Sequence, residues 1–160
     1  MGPPMSRART LALILVGVDG SPSAREALRV AASLARLAGG SVAAVHVVVP
    51  PEPASFGSPL AALRADEAAR HTGEEILAEA HRLAGDVLVA RELHSGPPAD
   101  TLCRRAAELG ADLVVVGSRG LSRLERLLLG SVSAAVAAQA PCSVLVVRPR
   151  RGRRRRNVAA

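Results

Sequence analysis

Leu11-Ala-Leu-Ile-Leu-Val-Gly-Val18, closed by Asp19-Gly20, is an unbroken apolar run ended by two turn-forming residues. A strand with one wet face would alternate apolar and polar residues; this one reads as buried on both faces. A helix start follows at once. Ser23 and Glu26 have capping-box spacing, and Pro22 is tolerated just before or within a first turn. Ala27, Ala31, Leu34 and Ala38 then fall on one helical face until Gly39-Gly40 stops it. Val42–Val49 repeats the buried-strand profile and is broken by Pro50-Pro51.

The same alternation continues. Ser58-Pro59 opens a long helical stretch to about Ala84, polar on one side through Arg64, Glu67, Glu74 and Glu75. From Val87 to His94 apolar and polar residues mix, as in a strand at a sheet edge. Ala99–Leu109 predicts a short helix between Pro97-Pro98 and Gly110; Asp112–Val116 a strand; Ser131–Gln139 a helix; Val144–Val147 a last strand. Strands alternating with helices predict an α/β fold, a parallel sheet covered on both faces.

Composition excludes several function classes. At 160 residues and 49% hydrophobic, the chain suits one domain with its own core. No apolar run approaches a membrane span. The two cysteines, Cys103 and Cys142, form no C-x-x-C, which argues against a zinc knuckle or a disulfide framework and for a reducing, cytoplasmic setting. All 21 basic residues are Arg, so a Walker A lysine and Schiff-base chemistry are both excluded. With no Trp, no Tyr and a single Phe56, the chain has no aromatic platform for stacking bases.

The net charge of +7 is local. Residues 148–160 hold seven Arg and no acid, which leaves residues 1–147 with 14 Arg against 14 Asp plus Glu. Arg148-Pro-Arg-Arg-Gly-Arg-Arg-Arg-Arg156 is either an electrostatic grip on nucleic acid or another anionic surface, or a solvated, disordered end.

In open parallel sheets ligands bind beyond the C-terminal ends of the strands. After the fourth strand comes Gly117-Ser-Arg-Gly120, nine further residues, and Gly130-Ser131. Gly117 and Gly120 lack a Cβ, so backbone can approach a ligand and φ can be positive. Gly130-Ser131 begins a helix, whose free N–H groups attract anions. The hydroxyls of Ser131 and Ser133 can add hydrogen bonds to phosphate. Loop-corner glycines and helix-capping serines have an equally ordinary structural use.

Gly117-x2-Gly120-x9-Gly130-Ser131 resembles the ATP-binding signature of the universal stress protein family. The likeness extends to Leu13–Ser21, to His46-Val47, to Leu128–Ser133 and to Ala140–Val147, and so covers about Leu11 to Arg148. The resemblance implies that Asp19 contacts adenosine, that Val47 contacts adenine through its backbone, and that Val18 lies beside that pocket. It implies that Gly117, Gly120, Gly130, Ser131 and Val132 wrap ribose and phosphates, with Val116 and Ser133 adjacent. It also implies a homodimer joined through Val144–Val147, which would otherwise be an apolar sheet edge. Phosphate neutralisation would fall to Arg119, Arg123 and Arg126, which read equally well as a solvated face.

Other constellations are weaker. Asp19 invites Mg²⁺ binding or general-base work, but as a single acid near the site it equips a hydrolase poorly. Asp112 starts its strand and belongs at the opposite end of the sheet. His71, Glu75 and His81 read as solvent-exposed residues, His46 as a hydrogen-bonded histidine of the core or pocket edge, and His94 as carrying no signal. The cysteines read as small buried hydrophobes. The expectations are then a flexible segment 1–10, a domain over 11–148 and an Arg-rich disordered tail over 149–160. The fold expected is a single open, doubly wound, five-stranded parallel sheet of order 3-2-1-4-5. The function expected is an ATP-binding regulator of a stress response with slow or no hydrolysis. The alternatives are a slow Mg²⁺-dependent ATPase and a nucleic-acid-associated protein acting through its tail.

Overall fold

The computed structural model describes residues 11–50, 52–118 and 129–149. Strands β1 (Leu13–Gly17), β2 (Ser41–Val48), β3 (Leu88–Ser95), β4 (Leu113–Gly117) and β5 (Ser143–Val147) form one parallel sheet of order β3-β2-β1-β4-β5. Helices α1 (Pro22–Ala38), α2 (Pro59–Ala84), α3 (Pro98–Leu109) and α4 (Ser131–Gln139) connect them. The sheet is the one expected, in the order expected.

Residue alternation along the central strands builds two cores. Ile14 and Val16 of β1 and Leu113 and Val115 of β4 pack with α1 and α2, through Ala27, Leu28, Ala31, Leu77 and Ala80. Leu15, Val114 and Val116 point the other way, onto Leu102 and Ala106 of α3 and Val136 of α4. Burial on both faces is why β1 and β4 are continuous apolar runs. The outer strands are more exposed: β3 has Val89 62% exposed, and Val144, Leu145 and Val146 of β5 are half-buried.

Helix α1 starts earlier than its spacing suggests. The cap is Ser21, whose hydroxyl accepts from Ala24 N at 3.2 Å, with Pro22 in the first turn. Ser23 is instead buried, and Glu26 pairs with Arg29. The buried face runs through Ala24, Ala27, Leu28, Ala31 and Ala35, while Ala38 is exposed. The cap shifted because Asp19 turns the chain first: its Oδ1 accepts from Ser21 N at 2.9 Å, and Gly20 takes a left-handed φ of 78°. Asp112 lies at the far end of the sheet, where its Oδ2 accepts from Ala12 N at 2.9 Å and Leu13 N at 3.0 Å.

Candidate functional site

The C-terminal ends of β1, β2 and β4 surround an open cavity of about 490 Å³. Val18 and Asp19 come from the end of β1, Val47 from β2, Val116 and Gly117 from β4, and Gly130, Ser131, Val132 and Ser133 from the start of α4. All nine line the same cavity. Gly120, Arg119, Arg123 and Arg126 lie outside the described residues.

The two ends of the glycine signature meet. Gly130 N donates to the carbonyl of Ser118 at 2.7 Å, and Ser133 Oγ, buried, donates toward the carbonyls of Gly130 at 3.0 Å and Ser118 at 3.3 Å. One hydroxyl hydrogen serves both carbonyls, so Ser133 ties the chain's departure from β4 to its return at α4. Ser131 is exposed at the first turn of α4. Gly130 caps that helix with no side-chain hydrogen bond, and its first-turn residues Ser131, Val132 and Ser133 line the cavity; the first N–H groups of a helix have no intrahelical partner and suit an anion.

Packing gives Gly117 a reason to be glycine that a positive φ does not. It has no positive φ, and a Cβ there would come 2.6 Å from Ser23 Oγ and 2.8 Å from Ala24 N. The absent side chain lets α1 begin directly against β4.

Sequence reading missed the wall that α2 supplies. Ala69, Thr72 and Ile76 line the cavity, as do Val48, Pro98 and Leu102. Nothing in the sequence says where along its length so long a helix crosses the sheet. His46 also lines the cavity, and its Nδ1 lies 2.7 Å from the carbonyl oxygen of Val18. A carbonyl only accepts, so Nδ1 carries the proton and donates. His46 thereby fixes the peptide before Asp19.

Charged groups elsewhere form a separate network. Arg105 of α3 grips Glu92 of β3 bidentately, Nε to Oε2 at 2.7 Å and a terminal nitrogen to Oε1 at 2.8 Å; it also pairs with Glu108. His94 Nε2 lies 2.8 Å from Glu92 Oε2, so this histidine does have a partner. Arg105's hydrogen bonds, opposed by desolvation and helped by His94, hold the Glu92 carboxyl down at about 2. Burial, with Asp100 and Cys142 nearby, raises the Cys103 thiol. Cys103 and Cys142 are half-buried against the α3–α4 core. Among the described residues no His, Cys, Asp and Glu cluster could hold a metal ion, and no helix is long and apolar enough to cross a membrane.

The fold has counterparts. The model of the universal stress protein family matches residues 12–148. A universal stress protein of Thermus aquaticus is 39% identical over 141 residues, which span 84% of this chain and 97% of that one. A universal stress protein solved in complex with cAMP superposes with a TM-score of 0.65 at 29% identity, over 88% of this chain and 99% of that one. An Arabidopsis thaliana family member with AMP bound shares the fold at a TM-score of 0.63 and 20% identity, over 87% and 92% of the two chains. With the family's model matched across nearly all the described chain and its sheet order reproduced, this chain belongs to the universal stress protein family.

Proposed function

We propose that this chain binds ATP in the cavity at the ends of β1, β2 and β4 and acts as a nucleotide-responsive regulator in a cytoplasmic stress response, with slow or no hydrolysis. The observation that carries the reading is the convergence of nine candidate residues from four segments on one cavity. The relative solved with cAMP supports a nucleotide as the class of ligand. The walls suit it. Val18, Val47 and Ile76 offer apolar surface for a base, while the α4 N-terminus and Ser131 offer donors for phosphate. Asp19 is the one carboxylate among the described lining residues. It would reach the sugar, or hold a Mg²⁺ that completes its shell with phosphate oxygens and water.

Hydrolysis finds little support in the described residues. Asp19 already spends Oδ1 on Ser21 N, and no second acid lines the cavity to activate water. The regulatory output would come through dimer geometry. The apolar edge at Val144–Val147, half-buried as far as Val146, suits pairing with a second copy, and β5 is joined to the cavity through Gly117. The test is to denature the purified protein, identify any released nucleotide, and titrate ATP with and without Mg²⁺. Near-stoichiometric ATP or saturable binding is expected. No retained nucleotide and no titratable binding would overturn the reading, and turnover above about 1 s⁻¹ would overturn its regulatory form.

A further inference from the structure

Five polar side chains belong to the described lining of the cavity: Asp19, His46, Thr72, Ser131 and Ser133. Four of them have no hydrogen left to offer a ligand. Asp19 is a carboxylate, and it accepts from Ser21 N. Ser133 Oγ donates to the carbonyls of Gly130 and Ser118. Thr72 Oγ1 donates to the carbonyl of Ala68, one turn back in α2, at 3.0 Å. His46 Nδ1 donates to the carbonyl of Val18, which leaves Nε2 of the neutral ring as an acceptor only.

Two of these acceptors belong to neighbouring positions of one wall. Gly73 follows Thr72, and a Cβ on it would lie 3.2 Å from His46 Nε2. Thr72 shares a face of α2 with Ala69 and Ile76, which line the cavity with it. Among the described residues Nε2 receives no hydrogen bond, and no buried side-chain nitrogen or oxygen lacks a partner, so Nε2 is reachable from solvent.

At the start of α4 the polarity reverses, because the first N–H groups of a helix donate. With phosphates there and the base against Val47 and Ile76, the acceptors of His46 and Thr72 call for a base edge that donates. Adenine presents a 6-amino group with two hydrogens. A 6-oxo group only accepts, and would set lone pairs against lone pairs.

We propose that His46 Nε2 and Thr72 Oγ1 read the exocyclic amine of the base and so select adenine over 6-oxopurine nucleotides. The proposal rests on the nucleotide reading above.

Calorimetric titration at about pH 8 compares ATP, ITP and dATP on the native chain, Thr72→Val, Thr72→Ser and His46→Gln. Val keeps the branched shape of Thr without the oxygen, and Gln sets an amide donor near the position of Nε2. The native chain should prefer ATP to ITP by about tenfold or more. Thr72→Val should lower that preference about fivefold, as for one ordinary hydrogen bond, and Thr72→Ser should restore it. His46→Gln should bring the two nucleotides level. An ATP-to-ITP ratio unchanged in both Thr72→Val and His46→Gln would overturn the proposal. So would equal losses for ATP and ITP, which would mark a packing role, or a change confined to ATP against dATP, which would give the acceptors to the sugar. A native chain that binds both nucleotides without preferring ATP would overturn this proposal alone. One that binds no nucleotide would overturn the nucleotide reading with it.

Discussion

The imidazole of His46 fills the space that a side chain at position 73 would need. A Cβ on Gly73 of α2 would come 2.7 Å from His46 Cδ2 and 2.6 Å from Leu93 Cδ1, and His46 and Leu93 are register partners on β2 and β3. The helix therefore rests on a cross-strand pair. Gly73 is buried while Leu60 and Leu63, a few turns earlier, are 57% and 54% exposed. On an open helix face Gly→Ala would gain up to about 1 kcal/mol. Here Leu93 can rotate away, but the His46 ring is held by Val18. Gly73→Ala should therefore be destabilising by about 1 to 3 kcal/mol, the range for overpacking. Urea unfolding checks the sign.

His46 is expected to act through Nδ1. Asn places its amide nitrogen near that position, whereas Gln places it near Nε2. His46→Asn should keep most of the stability and nucleotide affinity, and His46→Gln and His46→Ala should each lose about 1 kcal/mol of stability with weaker ATP binding. Equal behaviour of the Asn and Gln variants would show that the Val18 hydrogen bond is not what matters.

Asp112 gives the contrasting case. Its carboxylate accepts from Ala12 N and Leu13 N at the end of the sheet away from the cavity. Asp112→Ala should cost about 1 to 2 kcal/mol in chemical denaturation, since two backbone donors lose a charged acceptor. Nucleotide affinity, measured by titration well below the unfolding midpoint, should not change.

Acid should loosen β3 from α3. The Glu92 carboxyl is depressed to about 2 from an unfolded value near 4.5, chiefly by hydrogen bonds from Arg105. A carboxylate with a lowered folded pKa contributes stability that is full above the unfolded value and is lost as pH falls through the folded one. The loss should appear between about pH 4.5 and pH 2, and Arg105→Gln should flatten it. Thermal melts across that window, compared between the native chain and the variant, carry the test.

The sheet was legible because its signals are local. The buried run at β1, the cap at Ser58 and the Pro141 stop after α4 each act within a few residues. The expected α4, Ser131–Gln139, is the observed one. The α1 cap was misplaced by two residues because Ser21, Pro22 and Ser23 offer competing starts, and the Asp19 turn decides between them. The cavity's β-strand and α4 residues were legible through family resemblance. Its α2 wall was not, since Ala69, Thr72 and Ile76 look like any helix residues until the crossing over His46 and Leu93 is known. The Glu92–Arg105 pair spans 13 residues and two elements, beyond the reach of any spacing rule.

Gly117 carries a wider lesson about signatures. The first turn of α1 presses on it so closely that any larger residue would have to displace backbone. Mutation at this position is thus penalised in the folding of the domain, before any ligand is met. A descendant that had ceased to use nucleotide would still be confined to glycine here, so this letter of the motif records an architectural debt of the fold.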